Sequence, residues 1–297
     1  MARARQDKLI VSFNGRIVSP SAAKISALDR GALIGYGVFD TLLVLDNTPL
    51  WLRDHVARFD RARQALGMRK LFGQPQIISF VEKAVRAHKA PLKKVRITQS
   101  GGTGSMWGGG ASAGGSDGAL WIIVAEHSWR FGNSVRASLV KTEPVAPWLR
   151  EIKSTSRLPY LPPETDESAT DGVTEKILLV PRQGVIEFTN ANLLLRRDDE
   201  LLAPPAGAAY PGLTLKKTLA ALEKSGRKVN RLKVSLDDLL NADEIIGLNS
   251  LRLAFSVGEL AYQAGDGSHR RRKYGSHNLA REIRSLALPK KYRSLIG

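Results

Sequence analysis

A lysine and a glutamate are the two residues of this sequence whose types and surroundings could do chemistry together. Lys153 lies in REIKSTSRL, residues 150–158, a proline-flanked segment without a long helical or strand period. Glu187 follows in the apolar and amide-rich run IEFTNANLLL. A lysine can form a Schiff base and a carboxylate can keep a pyridine nitrogen protonated, and a pyridoxal phosphate (PLP) enzyme needs both groups. Spacing alone does not establish this pair, because the chain has 45 Lys and Arg residues.

Composition places the chain among soluble globular proteins. Its 297 residues are enough for one large or two ordinary domains, and 43% hydrophobic with 25% charged residues is typical of that class. No apolar run approaches the ~20 residues of a membrane span, and the basic start MARARQDKL lacks the apolar segment of a signal peptide. Without cysteine, neither disulfides nor thiolate metal sites are available. We therefore expect a cytoplasmic protein with no membrane association and no metal site.

The net charge of +17 has two interpretations. One is a nucleic-acid or acidic-membrane partner. The other is a solvated basic surface that attracts anionic substrates and a cofactor phosphate. The basic residues are spread along the chain, with one dense cluster at His269 to Lys273, and no zinc-finger, RRM or KH signature accompanies them. The second interpretation is favoured, and no nucleic-acid partner is expected.

The run IKSTSRL followed by IEFTNANLL resembles the core of the fold-type IV PLP enzymes. That group contains branched-chain aminotransferases, D-amino acid aminotransferases and aminodeoxychorismate lyases. The resemblance extends over about residues 8 to 260 as a series of short motifs. It implies an α+β, two-domain, D-amino acid aminotransferase-like fold with PLP between the domains, and a homodimer. The predicted domains are a smaller α/β domain, 1–141, and a larger PLP-binding domain, 148–297, with the proline-rich stretch 142–147 as their connection.

The elements predicted before Lys153 are mostly short strands. Runs 9–13 and 16–18 around Asn14-Gly15 predict a hairpin, because both turn residues must accept positive φ. A strand at 38–45 is expected to return at 50–52, and further strands are expected at 95–98, 120–125 and 135–140. Two helices are predicted, at 53–66 and 75–88. The glycine-rich stretch 100–118 predicts a flexible surface loop, or a mobile cover of the active site that carries Met106 and Trp107.

Strands also dominate the prediction beyond Lys153. Runs 176–180 and 185–188 flank a turn, 192–195 continues that sheet, and 242–251 reads as a strand that enters a loop. Helices are predicted at 215–224, 235–240 and 276–286, and the tail from Asp266 onward is basic.

The resemblance assigns further site residues. Arg58, in a His-x-x-Arg on the first helix, matches the arginine that holds the cofactor phosphate, a task that suits its charged, planar fork. Leu213 and Thr214 match residues whose backbone holds that phosphate at a helix start, where free N–H groups and the dipole attract anions. Thr214 is also interpreted as a simple N-cap, and both roles can hold at once. Asn249 and Ser250 match a loop that faces the cofactor, and Ser250 would add a hydroxyl to the phosphate cup. Lys153 and Glu187 are the predicted catalytic residues.

The same comparison separates the possible activities. The arginine of D-amino acid aminotransferases is missing from Thr98-Gln99-Ser100, and Leu158 stands where branched-chain enzymes have a tyrosine. Ile152-Lys153 with Arg157-Leu158, Ala191-Asn192-Leu193 and Asn249-x-Leu251 match the aminodeoxychorismate lyases. Gly35-Tyr36-Gly37 departs from the common Gly-Asp-Gly.

The prediction is therefore a PLP-dependent class IV aminotransferase or an aminodeoxychorismate lyase-like enzyme. Its substrates would be an amino donor with a 2-keto acid, or 4-amino-4-deoxychorismate, which yields 4-aminobenzoate and pyruvate. Branched-chain and D-amino acid aminotransferases are the alternatives within the family. A basic, non-catalytic nucleic-acid-binding protein on this scaffold is the alternative from another class.

Overall fold

The computed structural model describes residues 9–104, 117–128, 134–160 and 173–295. Contacts between Cα atoms divide the chain into two compact units. Unit 1 comprises Met1–Ser128 and Glu151–Arg157, and unit 2 comprises Trp129–Arg150 and Leu158–Gly297. None of the helices in the described ranges is long and apolar enough to cross a membrane.

Unit 1 is built on an antiparallel sheet in the order β2-β1-β6-β5-β3-β4. Its strands are β1 (Ile10–Phe13), β2 (Arg16–Val18), β3 (Gly37–Leu45), β4 (Thr48–Pro49), β5 (Leu92–Ser100) and β6 (Leu120–Glu126). Its helices are α1 (Arg30–Ile34), α2 (Leu52–Ala65) and α3 (Gln74–Ala87), and a 3-10 turn lies at Pro20–Ala22. One face of the sheet packs its alternate apolar residues against α2 and α3, which form the core of the unit with Ile152.

The hairpin and both long helices of unit 1 agree with the sequence prediction. Asn14 and Gly15 have φ of 47° and 82°, as the tight turn requires. The expected strand at 50–52 is wrong: the returning strand is β4, Trp51 takes a left-handed conformation with φ 53°, and Leu52 already begins α2. The apolar run Leu50-Trp51-Leu52 leads into a helix and does not form a strand.

Unit 2 contains a closed barrel. Its strands are β7 (Val135–Lys141), β8 (Glu175–Val180), β9 (Gly184–Phe188), β10 (Asn192–Arg197), β11 (Glu200–Ala203), β12 (Val229–Arg231), β13 (Glu244–Asn249), β14 (Leu253–Gln263) and β15 (His269–Lys273). The ring β10-β13-β14-β7-β8-β9 closes where β9 pairs with β10 through Glu187 and Asn192. Strands β11 and β12 extend from the far end of β10, and β15 pairs with β14.

The helices of unit 2 are α4 (Pro147–Arg150), α5 (Leu213–Lys224), α6 (Leu236–Leu240) and α7 (Asn278–Ala287), with 3-10 turns at Leu158–Tyr160 and Lys290–Leu295. Apolar residues of α5 and α7 pack with one side of β10, β11, β13 and β14, whereas a second cluster that includes Phe188 and Phe255 fills the other side. Buried Glu244 joins α7 to the barrel, since its carboxylate accepts the N–H groups of Leu279 and Ala280 at 3.0 Å each.

The division into units differs from the predicted boundaries 1–141 and 148–297. Strand β7, expected in the first domain, pairs in parallel with β8 and β14 of unit 2. The segment 151–157, expected in the second domain, belongs to unit 1. The reason is main-chain hydrogen bonding: β7 completes the barrel, and 151–157 binds the end of β3.

Candidate functional site

The segment that carries Lys153 is held like an added strand beside β3. The N–H of Phe39 donates to the Lys153 carbonyl at 2.9 Å, and the N–H of Thr155 donates to the Gly37 carbonyl at 2.9 Å. Val38 and Ser154 form the antiparallel bridge between these bonds. Ile152 and Ser154 are buried on either side of Lys153. The backbone of the lysine is therefore fixed by the sheet of unit 1, although the sequence around it shows no strand period.

Glycine is required where this segment meets β3. A Cβ atom on Gly37 would lie 2.8 Å from Thr155 Oγ1 and 2.9 Å from the Gln99 carbonyl oxygen. Thr155 Oγ1 also donates to the Gly35 carbonyl at 2.7 Å. The close approach explains the glycine at position 37, and Gly35 has a left-handed φ of 67° that favours glycine. The Gly-x-Gly motif is thus linked directly to the placement of Lys153.

The half-buried Lys153 side chain shares an aromatic neighbour with an arginine. Lys153 Nζ lies 5.3 Å from the centre of the Phe39 ring, and the guanidinium of Arg96 lies 3.8 Å from that centre. Desolvation of the guanidinium, and then the charge of Arg157, lower the pKa of Arg96. Two cationic groups at one ring, with a third in electrostatic range, are suited to a carboxylate or another anionic group.

Sequence reasoning did not identify Phe39 or Arg96. The signal was present in strand alternation: Phe39 pairs with Thr98, so Arg96, two residues before Thr98, lies on the same face of the sheet. Arg96 therefore lies within β5, two residues before Thr98, whereas the D-amino acid aminotransferase pattern has its arginine after that position.

Arg58 is held in a buried network on α2. Its Nε donates to Asp40 Oδ2 at 2.8 Å and its Nη2 donates to Asp40 Oδ1 at 2.6 Å, while His55 Nδ1 lies 3.0 Å from Asp40 Oδ1. Burial of Asp40 alone would raise its pKa, but Arg58 and His55 together hold the pKa of that carboxyl well below its usual range. The network fixes the plane of the guanidinium. Asp40 was not identified from the sequence.

Glu187 lies at the closure of the barrel and is 5% exposed. Its Oε2 accepts the N–H of Tyr210 at 3.2 Å. Asn192, its partner across the closing pair, donates from Nδ2 to the Tyr210 carbonyl at 2.7 Å. The carboxylate is thus oriented by the loop that leads into α5.

The start of α5 has the features of an anion cup. Gly212 is the N-cap, no side chain of the described ranges caps the helix, and Leu213 and Thr214 form its first turn. The Thr214 hydroxyl lies 3.4 Å from that of Ser250. Uncapped N–H groups, the positive end of the dipole and two hydroxyls fit a phosphate. The prediction that the helix begins at Leu215 with Thr214 as N-cap is wrong, because the helix starts two residues earlier.

Asn249 shapes the turn that presents Ser250. Its Oδ1 accepts the N–H groups of Leu251 at 3.1 Å and of Arg252 at 2.9 Å. Its side chain therefore makes bonds within the turn.

Lys153 and Arg58 lie on opposite faces of β3, beside Phe39 and Asp40 respectively. The structure does bring the predicted residues of unit 2 together. In unit 2 these are Glu187, Leu213, Thr214, Asn249 and Ser250, around the start of α5 and the β13–β14 turn. Lys153 and Arg58 belong to unit 1, so the predicted pairing of Lys153 with Glu187 stays a prediction. Met106 and Trp107, of the suggested mobile cover, lie outside the described residues.

Comparison with known proteins relates the whole arrangement to one family. The profile described as amino-transferase class IV matches residues 37–260. The putative branched-chain-amino-acid aminotransferase of Methanocaldococcus jannaschii is 24% identical over 238 residues, which cover 79% of this chain and 82% of that protein. The D-alanine aminotransferase of Bacillus licheniformis is 24% identical over 241 residues, with the same coverage. The aminodeoxychorismate lyase of Bacillus subtilis is 28% identical over 95 residues, 31% of this chain and 32% of that protein.

Solved structures share the fold. A branched-chain aminotransferase from Thermoproteus uzoniensis, solved with norvaline, superposes with a TM-score of 0.78 at 20% identity and covers 96% of this chain and 97% of its own. A hypothetical aminotransferase from Mycobacterium tuberculosis in a PLP-bound form gives a TM-score of 0.77 at 22% identity, with 94% and 97% coverage.

Proposed function

We propose that this chain, which belongs to the amino-transferase class IV family of PLP-dependent enzymes, binds PLP and transfers an amino group between an amino acid and a 2-keto acid. The family match and the shared architecture confirm the family, the two-domain fold and the enzyme class that the sequence predicted. The assignment of PLP to this chain and of roles to its residues is the proposal.

The residues present fit the cofactor. When bound, PLP supplies an aldehyde that takes up an amine and a pyridine ring that withdraws electrons from the attached carbon. Lys153 is the amine that would hold the cofactor covalently and later move the substrate proton. Glu187, oriented by the N–H of Tyr210, is the carboxylate that would keep a ring nitrogen protonated.

The phosphate would be bound by groups of the anion cup. Leu213 and Thr214 would donate their backbone N–H groups, and Thr214 and Ser250 their hydroxyls. Arg58 is retained as a phosphate ligand on the family's pattern, and Asp40 would fix the plane of its fork.

The observation that supports an amino or keto acid as substrate is the pair of cationic groups at Phe39, which would bind a carboxylate beside the lysine. Lys153 Nζ and the Arg96 guanidinium approach one ring from within a single sheet. An amine that exchanges protons thus lies beside a fixed positive charge, and that charge would bind the carboxylate which every amino acid and 2-keto acid carries. Orientation of the substrate by its carboxylate would bring its α-carbon to the lysine.

Aminodeoxychorismate lyase chemistry is the second candidate. The sequence matches at Arg157-Leu158, Ala191-Asn192-Leu193 and Asn249-x-Leu251 favour it, and so does the partial similarity to the Bacillus subtilis lyase. The carboxylates of that substrate are again suited to Arg96 and Arg157.

The test is a set of single-turnover reactions. Protein loaded with PLP is expected to show a visible absorption band that Lys153→Ala abolishes. Amino donors are then screened one by one, with a keto acid as the product of transfer and pyruvate with 4-aminobenzoate as the products of the lyase. Absence of any PLP-dependent band, together with salt-sensitive nucleic-acid binding, would replace this proposal by the basic binding protein. Arg96→Lys should weaken substrate binding while the absorption band persists.

The remaining predictions follow from the family. A small-molecule amino donor and a keto acid, or aminodeoxychorismate, are the proposed partners, and a homodimer in the cytoplasm is the expected assembly and place.

A further inference from the structure

The turn between β13 and β14 is held in a strained form. The Asn249 side chain accepts two backbone N–H groups of the turn, and Leu253, which ends it, has φ of 60°. The left-handed region is unfavourable for a residue other than glycine or asparagine, so surrounding contacts must impose it. Ser250 lies in this turn, and its hydroxyl reaches that of Thr214. The conformation of the turn therefore determines the position of the Ser250 hydroxyl at the anion cup.

The buried side chain of Arg252 connects the turn to neighbouring elements of unit 2. The Arg252 Nη2 atom lies 2.7 Å from Glu175 Oε1 and donates to Asn190 Oδ1 at 3.4 Å. Its guanidinium stacks 3.7 Å from the centre of the Phe255 ring. Both charged side chains are at least nine-tenths buried. One side chain thus ties the turn to β8, to the residues after β9 and to β14.

The buried ion pair of Arg252 and Glu175 is not an efficient way to stabilise the fold. Two charges are removed from water, and Glu175 Oε2 is buried with no hydrogen-bond partner among the described residues. Apolar residues of similar volume commonly serve a barrel as well as a buried ion pair does, or better. A buried pair does, however, fix direction, because a planar guanidinium that bonds and stacks at once has a single position. Such rigidity matters where a hydroxyl must be placed within a fraction of an ångström.

We infer that Arg252 and Glu175 are positioning residues for the Ser250 hydroxyl, and so for the affinity of the cup for a phosphate monoester. The inference rests on the proposed function, since the phosphate is that of PLP. Arg252 acts through the two peptide units that separate it from Ser250, and Glu175 acts through Arg252. Neither residue is assigned contact with the cofactor.

The experiment compares two ligands that differ only in the phosphate. Dissociation constants of PLP and of pyridoxal are measured on cofactor-free wild-type protein, Arg252→Lys, Glu175→Gln and Ser250→Ala, by titration of the visible band. Arg252→Lys and Glu175→Gln should each weaken PLP binding roughly tenfold, the effect of one charge-assisted hydrogen bond, and change pyridoxal binding by less than about twofold. The control is Arg63→Lys, which alters an equally buried pair on α2 (Arg63 Nε to Asp60 Oδ1, 2.8 Å) and should change neither constant.

A double variant tests the route of the effect. If Arg252 acts through Ser250, Arg252→Lys in the Ser250→Ala background should weaken PLP binding no further than Ser250→Ala alone. Additive losses, equal losses for PLP and pyridoxal, or an unchanged PLP constant in Arg252→Lys would each overturn the inference while the proposed function stands. Failure of Arg252→Lys and Glu175→Gln to fold, with Arg63→Lys folded, would make the pair merely structural and would also overturn it. Wild-type protein that binds neither ligand would overturn the proposed function as well.

Discussion

Replacement of Asp40 by asparagine tests the buried network that orients Arg58. In the wild type, Asp40 is fully buried and its carboxylate receives two bonds from Arg58, one contact from His55 and the N–H of Thr41 at 2.7 Å. Asparagine keeps one acceptor oxygen and turns an NH₂ group toward the Arg58 donor. Removal of one partner of a buried ion pair costs about 3–5 kcal/mol. Because asparagine retains part of the bonding, we expect Asp40→Asn to lose about 2–4 kcal/mol of unfolding free energy at pH 7.

The difference in unfolding free energy between wild type and Asp40→Asn should depend on pH in a defined direction. The folded-state pKa of Asp40 is lowered, so its contribution is fully present above the pKa of an unfolded aspartate, about 3.9, and is lost as the pH falls toward the folded value. The difference between wild type and Asp40→Asn should therefore be constant from pH 7 to about 5 and shrink below about 4.

The assay is urea unfolding at several pH values, combined with hydrogen exchange of the α2 amides, which reports the loss locally even if the two units unfold separately. Asp54→Asn, at an exposed site in the first turn of the same helix, is the control and should cost less than about 1 kcal/mol. A loss below about 1 kcal/mol for Asp40→Asn, or a difference that grows as the pH falls, would refute the account of the network.

Three further predictions concern unit 2. Glu244→Gln should lower the unfolding free energy by about 2–4 kcal/mol and speed exchange at the start of α7, because the carboxylate uses one oxygen for each helix N–H group and the amide replaces one of these oxygens by an NH₂ group; unchanged exchange there would contradict this. Gly212→Ala places a Cβ atom 1.9 Å from Asn192 Oδ1, so its melting temperature and phosphate affinity should both fall, whereas Gly275→Ala, at a position where no described residue would contact the added Cβ atom, should change neither. Burial raises the pKa of Tyr274 to about 12, so stability should decline as the pH rises from about 10 through 12; urea unfolding of Tyr274→Phe should show a shallower decline in that range.

Local chemistry made the hairpin and the amphipathic helices predictable. The Asn14-Gly15 turn needs two positive φ values, and α2 and α3 show their apolar periodicity in the sequence. β15 was missed because its five residues, HRRRK, are all exposed and show no alternation; only the main-chain bonds to β14 make it a strand. A pattern of side chains cannot reveal a strand that buries none of them.

The residues of the candidate site also fall into those that the sequence predicted and those that it did not. Lys153, Glu187, Thr214 and Ser250 were found through short motifs that resemble a family. Asp40 and Arg96 have no such motif, and their roles depend on neighbours from other elements: His55 and Arg58 for Asp40, and Phe39 for Arg96. Their significance therefore appears only when the strands are in register.

The basic strand β15 also bears on the meaning of the net charge. Arg270 pairs with Asp266 at 2.6 Å and Arg271 with Glu259 at 3.2 Å, so half of its four Lys and Arg charges are compensated within unit 2. Among the described strands, β15 pairs only with β14, so its other side is an open sheet edge. Exposed positive residues on such an edge prevent edge-to-edge association of sheets. The need to keep this edge solvated is therefore enough to explain the positive charge of β15. On that account, Arg272→Thr with Lys273→Thr, which removes two charges from the edge, should not reduce PLP affinity but should increase self-association, which light scattering at low and high ionic strength would measure. A variant that stays monodisperse but loses affinity for an anionic polymer would instead favour a binding role for the strand.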